Sequence, residues 1–182
     1  MPRQRMLRIL NASMEISKES FDGLRYILEM AKKNKIVKDH NFYCDFCSGA
    51  DSLEQVMANY RDYFNFFLVD DTTSANTTGN KPGYFDRKVY TVYIICGYDH
   101  GDNEMYKESM ERARTIFKQL LSRMIRDKAS FEYGKGLMYL NLETIYSQEF
   151  GRYSFNGATG LFFNVQNNEP LNLVYDPNEW EE

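Results

Sequence analysis

The sequence has few of the features that mark secreted, membrane or nucleic-acid-binding chains. Its 182 residues include three cysteines and one tryptophan, too few for the disulfide framework of a small secreted protein. No stretch approaches the roughly 18 apolar residues of a membrane-spanning helix, and the N-terminal MPRQRMLRIL is too short in apolar residues for a signal peptide. Because 26 acidic residues outnumber 22 basic ones, giving a net charge of −4, no broadly cationic nucleic-acid surface is expected.

The motifs of common enzymes are also missing. The chain contains no phosphate-binding G-x-x-x-x-G-K-[ST], no G-x-G-x-x-G and no G-x-S-x-G. Asp70 and Asp71 follow a buried strand, where carboxylates bind divalent cations in many enzymes. Their Asp-, Thr- and Asn-rich context favours instead a solvated entrance to a loop. We therefore assign no catalytic, cofactor-binding or metal-binding residue, and expect the chain not to be an enzyme.

Hydrophobic periodicity predicts an α+β protein of one domain over residues 1–182. Residues 1–50 form a helical N-terminal arm plus a strand, and residues 51–182 form the α+β core. Apolar residues three and four apart predict helices, and apolar alternation or β-branched runs predict strands. The predicted helices cover 13–34, a segment starting at Ser52 with a Ser52–Gln55 capping box, and 103–128 after an Asp102 cap. The predicted strands cover 41–47, 65–70, 84–98, 137–148, 159–166 and 171–175, and 70–83 is predicted to be a long loop. This order indicates a mostly antiparallel sheet packed by one long helix, with additional N-terminal helices.

The cysteines and histidines form the sharpest chemical pattern. His40, Cys44 and Cys47 have the spacing H-x3-C-x2-C, and Cys96 with His100 reads C-x3-H, so the two groups together offer zinc ligands of the usual types. The Cys44–Cys47 pair also has the spacing of a redox-active dithiol. Against both, the pair lies in a period-two strand, so that Cys44 is expected to pack as a small hydrophobic residue. A thiol- or zinc-dependent small enzyme stays an alternative.

Aromatic residues make up 15% of the chain, and most of them fall in strand-like segments. FNFF at 64–67, YIICGY at 93–98 and GLFFNV at 160–165 are more apolar than one long and two shorter helices can easily cover. Uncovered apolar surface normally marks a protein–protein interface. We therefore expect the chain to associate with copies of itself.

From Leu53 onward the chain resembles phage tail-completion, or tail-terminator, proteins encoded by prophages. The matching stretches are LEQVMANYRDYFNFFLVDD, GYFDRKVYTVYIICGY, ERARTIFKQLLSRMIRD and GATGLFFNVQNNEPLNLVYDPNEW. From Leu53 onward about 130 of the 182 residues take part in the resemblance, which is one of element order and residue character. Residues 1–50, with His40, Cys44 and Cys47, have no counterpart in this resemblance.

The resemblance implies a structural function. Proteins of this kind have a sheet backed by one long helix and assemble as a homo-oligomeric ring, usually of six subunits. The ring caps the tail tube, stops its polymerisation and joins it to neck proteins, in the host cytoplasm during assembly and then in the virion tail. It implies no cofactor, no membrane and no specific nucleic-acid binding, and an acidic lumen suits DNA that must slide. Another interaction module from a mobile element is the further alternative.

Overall fold

The most apolar strand of the chain, β4 (Gly83–Gly97), forms the centre of a six-stranded sheet. The computed structural model describes residues 21–80, 83–131, 133, 136–155 and 157–180. In these residues the fold is α+β, as predicted: a mostly antiparallel sheet lies against one long helix, with shorter helices near the N-terminus. No helix of the described residues combines the length and apolar character needed to cross a membrane.

The elements follow in the order α-α-β-α-β-β-β-α-β-β. The helices are α1 (Gly23–Lys33), α2 (Lys35–Asp39), α3 (Leu53–Asn59) and α4 (Asn103–Ser130). The other strands are β1 (Phe42–Cys47), β2 (Asn65–Asp70), β3 (Ser74–Asn80), β5 (Leu140–Phe155) and β6 (Ala158–Leu171). The strand order is β1-β2-β4-β6-β5, in which β1 and β2 are parallel and every other pair is antiparallel. Strand β3 pairs with the first half of β4, so that β3 and β2 lie on the same side of that strand.

Helices α1 and α4 cover one face of the sheet, which we call the helix face. Side chains alternate along a strand, so every second residue of β2, β4 and β6 points to this side. Helix α4 begins at the predicted cap, where the Asp102 carboxylate accepts hydrogen bonds from the amides of Glu104 and Met105, both at 2.9 Å. Its buried stripe packs on the sheet to form the main core, which includes Ala113, Ile116, Leu120, Met124, Phe67, Ile94 and Phe163.

The opposite face of the sheet, which we call the open face, has much less cover. Of the helices in the described residues, the seven-residue α3 alone packs here, through Leu53, Val56 and Met57. Its core is a second, smaller cluster centred on Phe66, Leu68, Tyr93 and Ile95. The two faces of the sheet are therefore unequally covered. The 28-residue α4 and α1 bury the helix face, whereas the two turns of α3 bury only part of the open face.

Three sequence-based predictions about the strands and caps are wrong. The stretch 70–83 is not a long loop, because it contains β3, which pairs with β4 through its backbone while its Ser, Thr and Asn side chains stay exposed. The stretch 171–175 is not a further strand, since β6 ends at Leu171. Ser52 makes no side-chain cap to α3; its hydroxyl instead accepts from the Ser48 amide and donates to the Gly49 carbonyl.

The N-terminal prediction is confirmed in its described part. Helix α1 runs to Lys33, close to the predicted end, and the short helix α2 that follows was not predicted. Asn34 separates the two helices, and its side chain accepts a hydrogen bond from the Val37 amide and so caps α2. The predicted start of the first helix at residue 13, and the predicted arm over 1–12, lie outside the described residues.

The packing of α4 on the sheet leads to a prediction about the stability of the protein. Ile116 is fully buried against the sheet, whereas Ile125 on the same helix is 55% exposed. Ile116→Ala is expected to lower the free energy of unfolding by about 2–4 kcal/mol, because it removes buried methyl groups and leaves a cavity. The matched control Ile125→Ala is expected to change it by less than about 0.5 kcal/mol. Urea denaturation measures both, and equal effects would contradict the assignment of the helix's buried side.

Candidate functional site

The structure does not bring the cysteines and histidines into one site. Cys44 points to the helix face of β1 and Cys47 to the open face, because residues three apart in a strand lie on opposite sides. Cys96 lies on the helix face of β4, and β2 separates that strand from β1. Both histidines are exposed, and the ring of His100 stacks on Tyr98 with centroids 6.3 Å apart. All three cysteines are free thiols, and a shared zinc ion, which their spacing left open as an alternative, has no geometric basis.

The environment of the thiols also makes them poor nucleophiles. Burial raises the pKa of Cys44 to about 11, and it raises the pKa of Cys96 to about 12. The pKa of Cys47 rises to about 12, first through burial and then through the carboxylates of Asp70 and Asp71. Because the thiolate is the reactive form, none of these residues has the lowered pKa that a redox-active dithiol needs. The three cysteines therefore act as small core residues.

Asp70 and Asp71 tie the end of β2 to the segment before α3. Asp70 is 6% exposed, not solvated as the sequence suggested. Its Oδ1 accepts hydrogen bonds from the Gly49 amide at 2.9 Å and from the amide and hydroxyl of Thr72 at 2.9 and 2.6 Å. Asp71 accepts from the Ser48 hydroxyl at 2.8 Å. These bonds give the pair a structural role at the end of the strand.

The described residues contain a further polar cluster, in a cavity between α1 and α4, and no group of metal ligands. No group of three or more His, Cys, Asp or Glu side chains within them is arranged to hold a metal ion. A cavity of about 750 Å³ between α1 and α4 contains the buried carboxylate of Asp127. The guanidinium of Arg123 lies 2.7 Å from that carboxylate, and the Tyr26 hydroxyl donates to it at 3.1 Å. The Tyr26–Asp127 hydrogen bond joins α1 to α4, and the Arg123–Asp127 ion pair lies within α4.

The open face carries a groove that has the character of an interaction surface. Two adjoining cavities of about 500 and 470 Å³ flank α3, and Glu54 and Phe155 line both. We call the first of them the aromatic groove. Its lining residues are Ala50, Asp51, Leu53, Glu54, Tyr93, Phe150, Phe155 and Phe162.

Ring contacts hold the floor of the aromatic groove together across three strands. Tyr93 of β4 lies 6.1 Å from Phe162 of β6 and 6.4 Å from Phe150 of β5, measured between ring centroids. Phe150 in turn meets Phe155 edge-on at 4.9 Å. Tyr146 extends the row toward solvent, since its ring is 5.9 Å from Phe162 and its side chain is 55% exposed. The result is a continuous aromatic row in which Tyr93 is buried and the rings of Phe150, Phe155 and Phe162 stay half-buried.

The sequence predicts that the strands carry more aromatic residues than the helices can cover, but it does not show where on the sheet these residues meet. The segment 160–165 was identified as too apolar for the available cover, and its Phe162 does line the groove. Phe150 and Phe155 were missed as members of the same surface, because β5 was predicted to end at residue 148. Tyr146, Gln148 and Phe150 are spaced two apart, so they share one face of a strand. This spacing was the signal that could have placed Phe150 on the same surface as Tyr146.

Comparison of the chain with protein families and with curated proteins gives no match.

The burial of the thiols leads to a prediction that distinguishes a structural role of the cysteines from an enzymatic one. At pH 8 the native protein is expected to react with iodoacetamide about a hundredfold more slowly than the urea-unfolded chain at Cys44, and about a thousandfold more slowly at Cys47 and Cys96, because the thiolate fraction falls tenfold per pKa unit. Mass spectrometry of tryptic peptides reports each cysteine separately. Rapid native alkylation of Cys44 or Cys47 would contradict the buried, neutral state of the pair.

Proposed function

We propose that the chain is a structural tail-completion protein of a phage or prophage. In this function its copies join into a closed, hexameric ring that caps the tail tube and joins it to the neck. The protein acts in the host cytoplasm during assembly and then resides in the virion tail. The observation that carries the proposal is the half-covered sheet: the aromatic groove of the open face is lined by Phe150, Phe155 and Phe162, which a monomer leaves only half-buried.

Energetics favour covering this face with protein. Burial of apolar surface contributes about 25 cal/mol per Å² removed from water, and aromatic side chains dominate the energy of many interfaces. A ring uses such a surface well, because a head-to-tail contact joins two different patches and closes without leaving either exposed. The fold also agrees with what the resemblance to tail-completion proteins implies, a sheet backed by one long helix.

A second surface suits contact with the tail tube or with the next subunit. The hairpin of β3 and β4 carries exposed Tyr84 and Phe85 near its turn, and β6 ends beside them, with Leu171 paired to Tyr84. The segment after β6 adds further exposed apolar side chains, namely Leu173, Val174, Tyr175 and Trp180. Strand β3, in the region predicted as a long loop, pairs with this part of β4, so Tyr84 and Phe85 are presented from a paired strand with less loss of conformational entropy than from a loop.

The test is the mass and shape of the protein in solution. Light scattering after size-exclusion chromatography is expected to give a closed oligomer, electron microscopy is expected to show rings, and the protein is expected to bind the tail-tube protein encoded beside it. Tyr146→Asp is expected to weaken assembly, because the contact would bury an unpaired carboxylate on the groove's edge.

Ser147→Asp is the matched control for this variant. Ser147 is the next residue along β5, is also exposed, and points to the helix face, so this change is expected to leave assembly intact. A protein that stays monomeric at high concentration and does not bind the tube protein would overturn the proposal. Tube binding without ring formation would point instead to a different interaction module of a mobile element.

A further inference from the structure

The charges of the molecule are divided between its two sides. Residues 41–80, which build β1, α3 and β2, carry six acidic side chains against one basic side chain, Arg61. The second half of α4 has the opposite balance, with Lys118, Arg123, Arg126 and Lys128 against Asp127 alone. The acidic set flanks the open face, and α4 lies on the helix face. The net charge of −4 conceals this division.

Acidic side chains at the rim of the aromatic groove have no partner within the described residues. Asp51 and Glu54 are exposed beside the groove, and neither joins any of the ion pairs of the molecule. Glu54 lines the cavities on both sides of α3. The groove therefore combines an apolar floor with a rim of unpaired negative charge.

The outer side of α4 has the complementary character. Lys118, Ser122 and Ile125 recur at spacings of four and three, which places them on one stripe facing away from the buried stripe that holds Ile116 and Leu120. Ile125 is 55% exposed, an unusual place for a large apolar residue on a helix flanked by cations. Lys118 and Arg126 form no ion pair with a described residue. They stand eight residues apart, about 12 Å along the axis.

We propose that the outer stripe of α4 in one copy docks in the aromatic groove of the next copy. In this contact Ile125 packs on the half-buried rings of Phe150 and Phe162, while Lys118 and Arg126 meet the rim carboxylates of Asp51 and Glu54. The contact joins two different surfaces of one chain, so it is heterologous and repeats from copy to copy. The inference rests on the proposed ring and names the two surfaces that build it.

Charge complementarity selects a second copy as the occupant. A helix that docks in this groove needs an apolar side chain to cover the rings, with cations on either side of it. The cations are needed because the unpaired carboxylates at the rim repel acidic partners and attract basic ones. The outer stripe of α4 meets both needs on one rigid helix. The apolar side chain alone would leave Asp51 and Glu54 without partners, and the cations alone would leave the ring surface in water.

The test is a charge exchange between the two surfaces. Glu54→Lys and Arg126→Glu are each expected to raise the dissociation constant of the oligomer by about 10- to 100-fold, because each places like charges at the contact. The double variant restores opposite charges and is expected to recover most of the wild-type affinity. Glu108→Lys is the matched control: it makes the same charge change at an exposed residue in the first half of α4. Sedimentation velocity measures the association, and circular dichroism verifies that each variant is folded.

The outcomes separate this inference from the proposed function. Weakening by each single variant with recovery in the double variant supports the contact. Weakening without recovery, or full assembly of both single variants, overturns the contact while the ring itself stands. Loss of tube-protein binding by Glu54→Lys with unchanged self-association would also overturn it, because the groove would then receive a different partner. A wild-type protein that neither associates nor binds the tube protein would overturn the proposed function itself.

Discussion

The structure depends on how β4 is covered on its two sides. This strand pairs with β2, β3 and β6, so its position fixes most of the sheet. A strand with apolar residues on both sides requires cover on both. Helix α4 and α1 supply it on one side, where Val92, Ile94 and Cys96 are fully buried. On the other side the seven-residue α3 covers only part of the face, and the aromatic groove lies between it and β5. The proposed interaction surface follows from this difference in helix length.

Sequence patterns predicted the elements whose signals come from burial. The fully buried β2 and the capped, amphipathic α4 begin at the predicted residues, because burial imposes an apolar pattern that can be read directly. Strand β3 escaped prediction for the opposite reason. Its exposed Ser, Thr and Asn side chains carry no such pattern, and backbone pairing with β4 alone makes it a strand. The groove was also out of reach, since Phe150 and Phe162 become neighbours only through strand pairing. Local sequence reports which residues are buried, but not which distant residues meet.

The thiol, hydroxyl and carboxylate groups described above contribute to the packing of the chain. Cys47 and Tyr93 share the open-face cluster, and burial raises the pKa of each to about 12. Asp70 accepts hydrogen bonds from Gly49 and Thr72, at the ends of neighbouring segments. Asp127 joins α4 to α1 by accepting a hydrogen bond from Tyr26. What the molecule presents to its surroundings is apolar surface flanked by charge. The proposed assembly needs surfaces of this kind, with complementary patches held on rigid elements.

Hydrogen–deuterium exchange across a concentration series reports which backbone becomes covered when the protein associates. If copies meet through the open face, protection is expected to rise with concentration in α3, in β5 around Tyr146, and in the second half of α4. The amides of β2, already buried, should not change. Association of the protein with unchanged exchange in α3 and β5 would show that copies meet elsewhere, and would contradict the role assigned to the open face.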